Sequence, residues 1–120
     1  MDLNNPDGVG ELDITNMTVF EGGTTLNFEG KVEGYGSVFA THTWTSLDGD
    51  KTRGVLQGQV RVLLEDGSMK FTPHMGTFRR DGNKVTAFFT DAVNTGEMNF
   101  VVWDIDILTK KVGVKYFTVA

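Results

Sequence analysis

The sequence is a succession of runs of about ten residues rich in Thr, Val, Phe, Tyr and Trp, and most of these runs end in a turn that contains glycine. This spacing is typical of all-β sandwiches and barrels. No stretch of useful length shows the 3.6-residue apolar period of an amphipathic helix. The pattern predicts eight strands, at 11–20, 24–33, 35–47, 52–64, 69–79, 84–93, 98–107 and 112–119.

Three of the connections contain the dipeptide Asp-Gly, at Asp48-Gly49, Asp66-Gly67 and Asp81-Gly82. Asp-Gly is a strong hairpin signal because the preferred two-residue turn needs positive φ at both central residues. Hairpins make adjacent strands antiparallel, and closing the sheet removes its exposed edges. We therefore predict an all-β, eight-stranded antiparallel up-and-down barrel with no significant helix. Its strand at 110–118 is expected to pair with its strand at 11–20.

A chain of 120 residues fits one domain. Residues 1–10 are polar and rich in Gly, Asn and Asp, which predicts a flexible N-terminal segment ahead of a single barrel domain at 11–120. This segment has no signal-peptide pattern, and no apolar run approaches the roughly 18 residues of a membrane span. We expect a cytoplasmic protein that does not associate with membranes. The absence of cysteine excludes disulfides and thiolate chemistry.

The charges are divided unevenly along the chain. Residues 1–50 contain nine acids and one base, and residues 51–120 contain seven acids and ten bases, which gives the net charge of −5. The basic residues are scattered, so the sequence lacks the positive field that nucleic-acid binding requires. No nucleic-acid partner is expected. An acidic first strand and a basic last strand would attract one another where the barrel closes.

If each hairpin loop has two or four residues, an odd-numbered residue faces an even-numbered one across each turn. Applied from 35–47 onwards, this rule gives one face that is apolar and rich in hydroxyl groups, and we assign it to the interior. This face includes Phe39, Leu56, Phe71, Met75, Trp103 and Val112. It has no carboxylate or histidine, so it is better suited to holding a small hydrophobic or weakly polar ligand than to acid–base catalysis. A fully packed core is the alternative. The predicted ligand-binding residues are Tyr35, Phe39, Thr41, Thr43, Phe88, Thr90, Trp103 and Tyr116.

The opposite face combines aromatic, amide and imidazole groups, a composition typical of protein interfaces. We predict that it lies outside the barrel and forms the contact of a homo-oligomer; a solvated sheet face is the alternative. The predicted interface residues are His42, Trp44, Gln57, Gln59, His74 and Phe89. Because the two histidines lie two strands apart and no third histidine exists, we predict no metal site, no cofactor and no catalytic residue.

The segment from Gly34 to Trp44, with Gly-Gln-Val at 58–60 and Gly-Thr-Phe at 76–78, resembles the small bacterial β-barrels of the allene oxide cyclase-like, or calycin-like, group. The likeness extends over residues 24–92. It implies a barrel of ligand-binding size and an oligomeric assembly. The group includes cyclases and isomerases that act on hydrophobic substrates, so the resemblance adds an enzyme to the alternatives. The functions considered are therefore a non-catalytic ligand-binding barrel, a cyclase or isomerase, and an oligomeric interaction module.

Overall fold

The computed structural model describes residues 2–120 and forms a closed barrel of eight antiparallel strands in up-and-down order. The strands are β1 (Gly8–Phe20), β2 (Gly23–Val32), β3 (Gly36–Ser46), β4 (Arg53–Leu63), β5 (Met69–Asp81), β6 (Lys84–Asp91), β7 (Asn99–Asp106) and β8 (Lys111–Thr118). This confirms the predicted fold class. Residues 8–10 belong to β1 and pair with β8. Within residues 2–120, no helix is long and apolar enough to cross a membrane.

The barrel closes between its first and last strands, as the sequence predicted. Leu12 of β1 lies opposite Val112 of β8, and both side chains are buried. Next to this pair, Lys111 forms an ion pair with Asp13, which joins a base of the last strand to an acid of the first. Because both charged groups are exposed, apolar packing contributes more to closure than this ion pair does.

The barrel interior is a packed apolar core. Its side chains come from even-numbered residues on β1 to β5 and on β8, and from odd-numbered residues on β6 and β7. Large side chains fill the middle of the barrel, among them Phe28, Phe89 and Trp103, each 2% exposed. Most of the volume that an eight-stranded barrel encloses is therefore occupied by the protein itself.

The predicted inner and outer faces are wrong for β3, β5 and β6. Phe39, Phe71 and Met75 are 45%, 54% and 66% exposed, although we assigned them to the interior. The assignment was correct for the inward residues of β4, β7 and β8, such as Leu56, Trp103 and Val112. The cause of the error lies in the turns at the two ends of β4.

Both of these turns contain an odd number of residues. They therefore pair an even-numbered residue with an even-numbered one, or an odd-numbered residue with an odd-numbered one. Ser46 pairs with Gly54 across the first, and Leu63 pairs with Met69 across the second. In the second turn, Gly67 has φ +86° and is the last residue of a three-residue loop, not part of a two-residue type I′ turn. Relative to β4, the first error exchanges the two faces of β3, and the second exchanges those of β5 and, through β5, those of β6.

Candidate functional site

The structure exchanges the positions of the two predicted sets of residues. His42, Trp44, His74 and Phe89 are buried inside the barrel, so they cannot form the predicted outer interface. Of the predicted interface set, only Gln57 and Gln59 point outward. The physical reason is the parity error at the turns that flank β4.

Five members of the predicted ligand-binding set lie on the outer surface instead of the interior. They are Phe39, Thr41, Thr43, Phe88 and Thr90. The other three members face inward: Trp103 is in the core, and Tyr35 and Tyr116 are half-buried at one end of the barrel. This end, formed by the β2–β3, β4–β5 and β6–β7 connections, is called the mouth below.

The two histidines of the chain form a buried pair beneath the mouth. His42 Nε2 lies 2.9 Å from His74 Nδ1. The strand between them contributes Gly58, which is paired with His42 on one side and with His74 on the other. A Cβ atom at Gly58 would lie only 2.5 Å from His42 Cδ2, so glycine is what allows the two rings to meet across an intervening strand.

Aromatic rings surround His42 on the sides that face the core. Its imidazole stacks on Trp103 with 4.5 Å between ring centroids and meets the edges of Phe28 and Phe89. Its Nδ1 lies 3.5 Å from Trp44 Nε1. Burial among apolar groups disfavours the imidazolium form and lowers the pKa of His42 to about 3. Burial, and then the neighbouring His42, lower the pKa of His74 well below its usual value.

A cavity of about 60 Å³ lies between the histidine pair and the mouth. Its walls are mainly apolar and include Val60, Val62 and Trp103. Phe71, which is 54% exposed, also lines it, so the cavity reaches the surface. Its polar groups come from seven residues, Tyr35, Lys70, Thr72, His74, Asp91, Asn99 and Tyr116.

Asn99 organises the polar groups at the mouth. Its side-chain Nδ2 donates to Tyr35 Oη at 3.0 Å and to Asp91 Oδ1 at 3.1 Å, and its backbone N–H donates to the same carboxylate oxygen at 2.8 Å. Partial burial raises the pKa of Asp91, while the hydrogen bonds from Asn99 oppose that shift. Asp91 lies directly opposite His74 across β5 and β6, so a carboxyl group and an imidazole share the cavity.

The β6–β7 connection, residues 92–98, covers part of the mouth. Val93 is 7% exposed and packs into the cavity wall. Hydrogen bonds attach this connection to β5: Asn94 Oδ1 accepts from the backbone N–H of Phe71, and Thr72 Oγ1 accepts from that of Ala92. Lys70 forms an ion pair with Glu97 at 3.0 Å. The cover is therefore held in place by several separate contacts.

Within residues 2–120, no group of three or more His, Asp or Glu side chains is arranged to hold a metal ion. The His42–His74 pair uses one nitrogen of each ring for the contact between them. The cavity therefore offers hydrogen bonding by imidazole, carboxylate, amide and phenol groups.

Sequence reasoning missed Asp91 and Asn99. Asp91 was placed on the outer face because the parity error on β5 carried over to β6. Asn99 begins a strand whose other inward residues are apolar, and a polar residue at such a position could have identified the mouth. His42 and His74 were singled out from the sequence, but they were predicted on the outer face and lie inside the barrel.

The chain matches no protein-family model, no curated protein and no solved structure. The resemblance to allene oxide cyclase-like barrels therefore stays a prediction.

Proposed function

We propose that this barrel binds a small uncharged molecule, or the end of a larger one, in the mouth cavity. The observation that carries the proposal is the combination of apolar walls with a few convergent polar groups, His74, Asp91 and Tyr35. Ligand sites have this composition because apolar contact supplies affinity while a few hydrogen bonds fix orientation.

The size of the cavity limits the ligand. About 60 Å³ is well below the roughly 150 Å³ of an engineered cavity that holds benzene, and far below the ~300–1,000 Å³ typical of drug-sized ligands. A long hydrophobic ligand would need residues 92–98 to move. The proposal is therefore narrower than the sequence-based expectation of a ligand enclosed by the barrel, since only a compact group enters.

Binding is a better-supported role than catalysis. A cyclase or isomerase needs a group capable of proton transfer inside the barrel, and His74 and Asp91 are such groups. However, burial lowers the pKa of His74 well below 6.5, which makes its imidazole a weak base near neutral pH. A neutral imidazole of this kind is better suited to holding a hydrogen bond than to removing a proton.

The proposal is tested with a variant that fills the cavity. Val93→Phe adds a ring from the covering loop, and Val55→Phe adds the same atoms on the outer face, where Val55 is 42% exposed. Two compact probes, acetone and 2-propanol, are titrated, and amide NMR shifts are followed. We expect saturable shifts near Val62 and Val101 in the wild type and in Val55→Phe, and none in Val93→Phe. Shifts that persist in Val93→Phe, or the absence of any shift at these residues, would contradict the proposal.

We also propose that the barrel self-associates through its outer surface. The predicted homo-oligomer would then form through a different set of residues from the one that the sequence suggested. Glu29, Phe39 and Arg61 lie side by side on β2, β3 and β4, and all three are exposed. They line an outer groove of about 460 Å³. Within the described part of the chain, neither Glu29 nor Arg61 forms an ion pair. Aromatic and arginine side chains are both enriched at protein–protein interfaces.

The order of these residues makes the surface complementary to itself. With a two-fold axis above Phe39 and parallel to β3, Glu29 of one copy faces Arg61 of the other, and the two Phe39 rings meet. Sedimentation of Arg61→Glu is expected to show a monomer, because like charges then face each other. The double variant Glu29→Arg/Arg61→Glu is expected to restore the dimer. A wild type that is monomeric at high concentration, or a double variant that does not recover, would refute this contact.

A further inference from the structure

A chain of hydrogen-bonding rings leads from the closed interior to the mouth cavity. It runs from Trp44 through His42 to His74, with distances of 3.5 Å and 2.9 Å between the nitrogen atoms. An indole N–H can only donate a hydrogen bond, whereas each nitrogen of a neutral imidazole either donates or accepts. Because Trp44 can only donate, it sets the donor-to-acceptor direction of the hydrogen bonds along this series of rings.

This direction determines which nitrogen of each imidazole carries the proton. His42 Nδ1 faces the indole N–H, so it must be the accepting nitrogen, and the proton of the neutral ring is on Nε2. Nε2 then donates to Nδ1 of His74. A neutral His74 that accepts at Nδ1 carries its own proton on Nε2.

The remaining nitrogen of His74 faces the cavity. Its Nε2 has no hydrogen-bond partner among residues 2–120. Within the same residues, no side-chain nitrogen or oxygen that is sealed from solvent lacks a partner. His74 Nε2 is therefore not sealed, and the cavity that His74 lines is the accessible space beside it. The chain of rings thus ends in an N–H group that is free to donate.

We infer that the mouth cavity selects ligands that present an uncharged oxygen acceptor, above all a carbonyl oxygen, to His74 Nε2–H. This inference rests on the proposed function and names the chemical class of its ligand. Asp91 stands directly opposite His74 and Glu97 lies nearby, so a carboxylate ligand would meet like charge. Lys70, the base at the mouth, is already paired with Glu97.

Trp44 is a positioning residue in this arrangement, because it acts through His42 and does not line the cavity. Trp44→Phe removes the indole N–H and keeps an aromatic ring. The matched control is Phe78→Leu: Phe78 stacks on Trp44 with 5.0 Å between centroids, so this change loosens the same part of the core and leaves the N–H in place.

The first measurement is the protonation of each ring nitrogen by ¹⁵N NMR of labelled histidine at pH 7. We expect the proton on Nε2 of both rings in the wild type and in Phe78→Leu, and a mixture of both forms in Trp44→Phe. A proton on Nδ1 of His74 in the wild type would overturn the inference.

The second measurement compares acetone with isobutene, which has nearly the same shape but has CH₂ in place of the carbonyl oxygen. We expect acetone to bind about tenfold more tightly to the wild type, as one additional hydrogen bond implies. The preference should persist in Phe78→Leu and fall severalfold in Trp44→Phe. Equal binding of the two probes would overturn the inference and leave the proposed function standing, whereas binding of neither probe would overturn both.

Discussion

Acid should destabilise this barrel through its two histidines. His42 and His74 are the only histidines of the chain, and both are buried and neutral. In the unfolded chain their pKa returns to about 6.5. Below that pH the unfolded chain takes up protons that the folded barrel does not, so the free energy of unfolding falls as the pH falls.

The magnitude follows from the difference in pKa. At pH 5, protonation of one histidine with a pKa of about 6.5 stabilises the unfolded chain by about 2 kcal/mol, so the pair accounts for about 4 kcal/mol. That is a large part of the roughly 5–15 kcal/mol that stabilises a typical domain. For His42 the loss levels off near pH 3, because the folded state then takes up the proton as well.

Other groups titrate in different ranges or with the opposite sign. The lowered pKa values of Asp48, Asp66 and Glu97 make these carboxylates stabilising at neutral pH, but that contribution is lost only as the pH falls below their unfolded values near 4. The raised pKa of Asp91 acts in the opposite direction, since the folded state then holds a proton more readily. The interval from pH 7 to pH 5 therefore reports mainly on the histidines.

Urea unfolding at pH 7, 6 and 5, followed by tryptophan fluorescence, measures this effect. Well below pH 6.5 the slope of the free energy of unfolding should correspond to about two protons for the wild type. In His74→Gln it should fall to about one, whatever that change does to the absolute stability. A stability that is constant from pH 7 to pH 5 would mean that the histidines are not buried as a neutral pair, and the reasoning would be wrong.

Three further changes test the packing around the site by chemical unfolding. Gly58→Ala should destabilise the barrel by about 1–3 kcal/mol, because the added Cβ collides with the backbone oxygen of Thr41 and with the His42 ring. Gly113→Ala should have little effect, because a Cβ there meets nothing closer than 4.0 Å. Equal losses would contradict the packing at Gly58. Asn99→Ala should cost about 1–3 kcal/mol, because it leaves Tyr35 and Asp91 without their hydrogen bonds. Thr118→Ala should cost less than about 1 kcal/mol, because it removes only one hydrogen bond, from an exposed residue to Asn99. The reverse order would disprove the role of Asn99. Lys111→Ala should cost less than about 1 kcal/mol, and a larger loss would show that the ion pair with Asp13 matters for closure.

The sequence was sufficient to predict the fold. Strand spacing and turn residues determine eight antiparallel strands, and an acidic first strand with a basic last one agrees with closure between β1 and β8. These are local properties of composition and period, which explains why they can be read without knowing tertiary contacts.

The inward or outward direction of each strand was harder to predict, because it depends on the exact length of each loop. The connections with Asp48-Gly49 and Asp66-Gly67 were interpreted as loops of two or four residues. In the structure Gly49 does not have positive φ, and Lys51 does, at 59°. Asp48 Oδ1 accepts hydrogen bonds from the backbone N–H groups of Thr52 and Arg53, which stabilises the longer loop. A side chain that completes a loop in this way is not apparent from a dipeptide signal.

The site was only partly predictable for the same reason. Tyr35, Trp103 and Tyr116 were placed inside correctly, but the histidines were placed outside. Their separation by one strand also argued against direct contact, and Gly58 removes that obstacle by leaving space between them. The mouth network of Asp91 and Asn99 depends on the course of residues 92–98, which no periodic pattern describes.

The central claim is that His74 offers an N–H group to a ligand in the mouth cavity. A crystal structure of the protein soaked with acetone tests it most directly. We expect the methyl groups against Val60 and Val62, with the carbonyl oxygen about 2.7–3.2 Å from His74 Nε2. Acetone bound with its oxygen turned away from His74, or bound only on the outer surface, would contradict the claim.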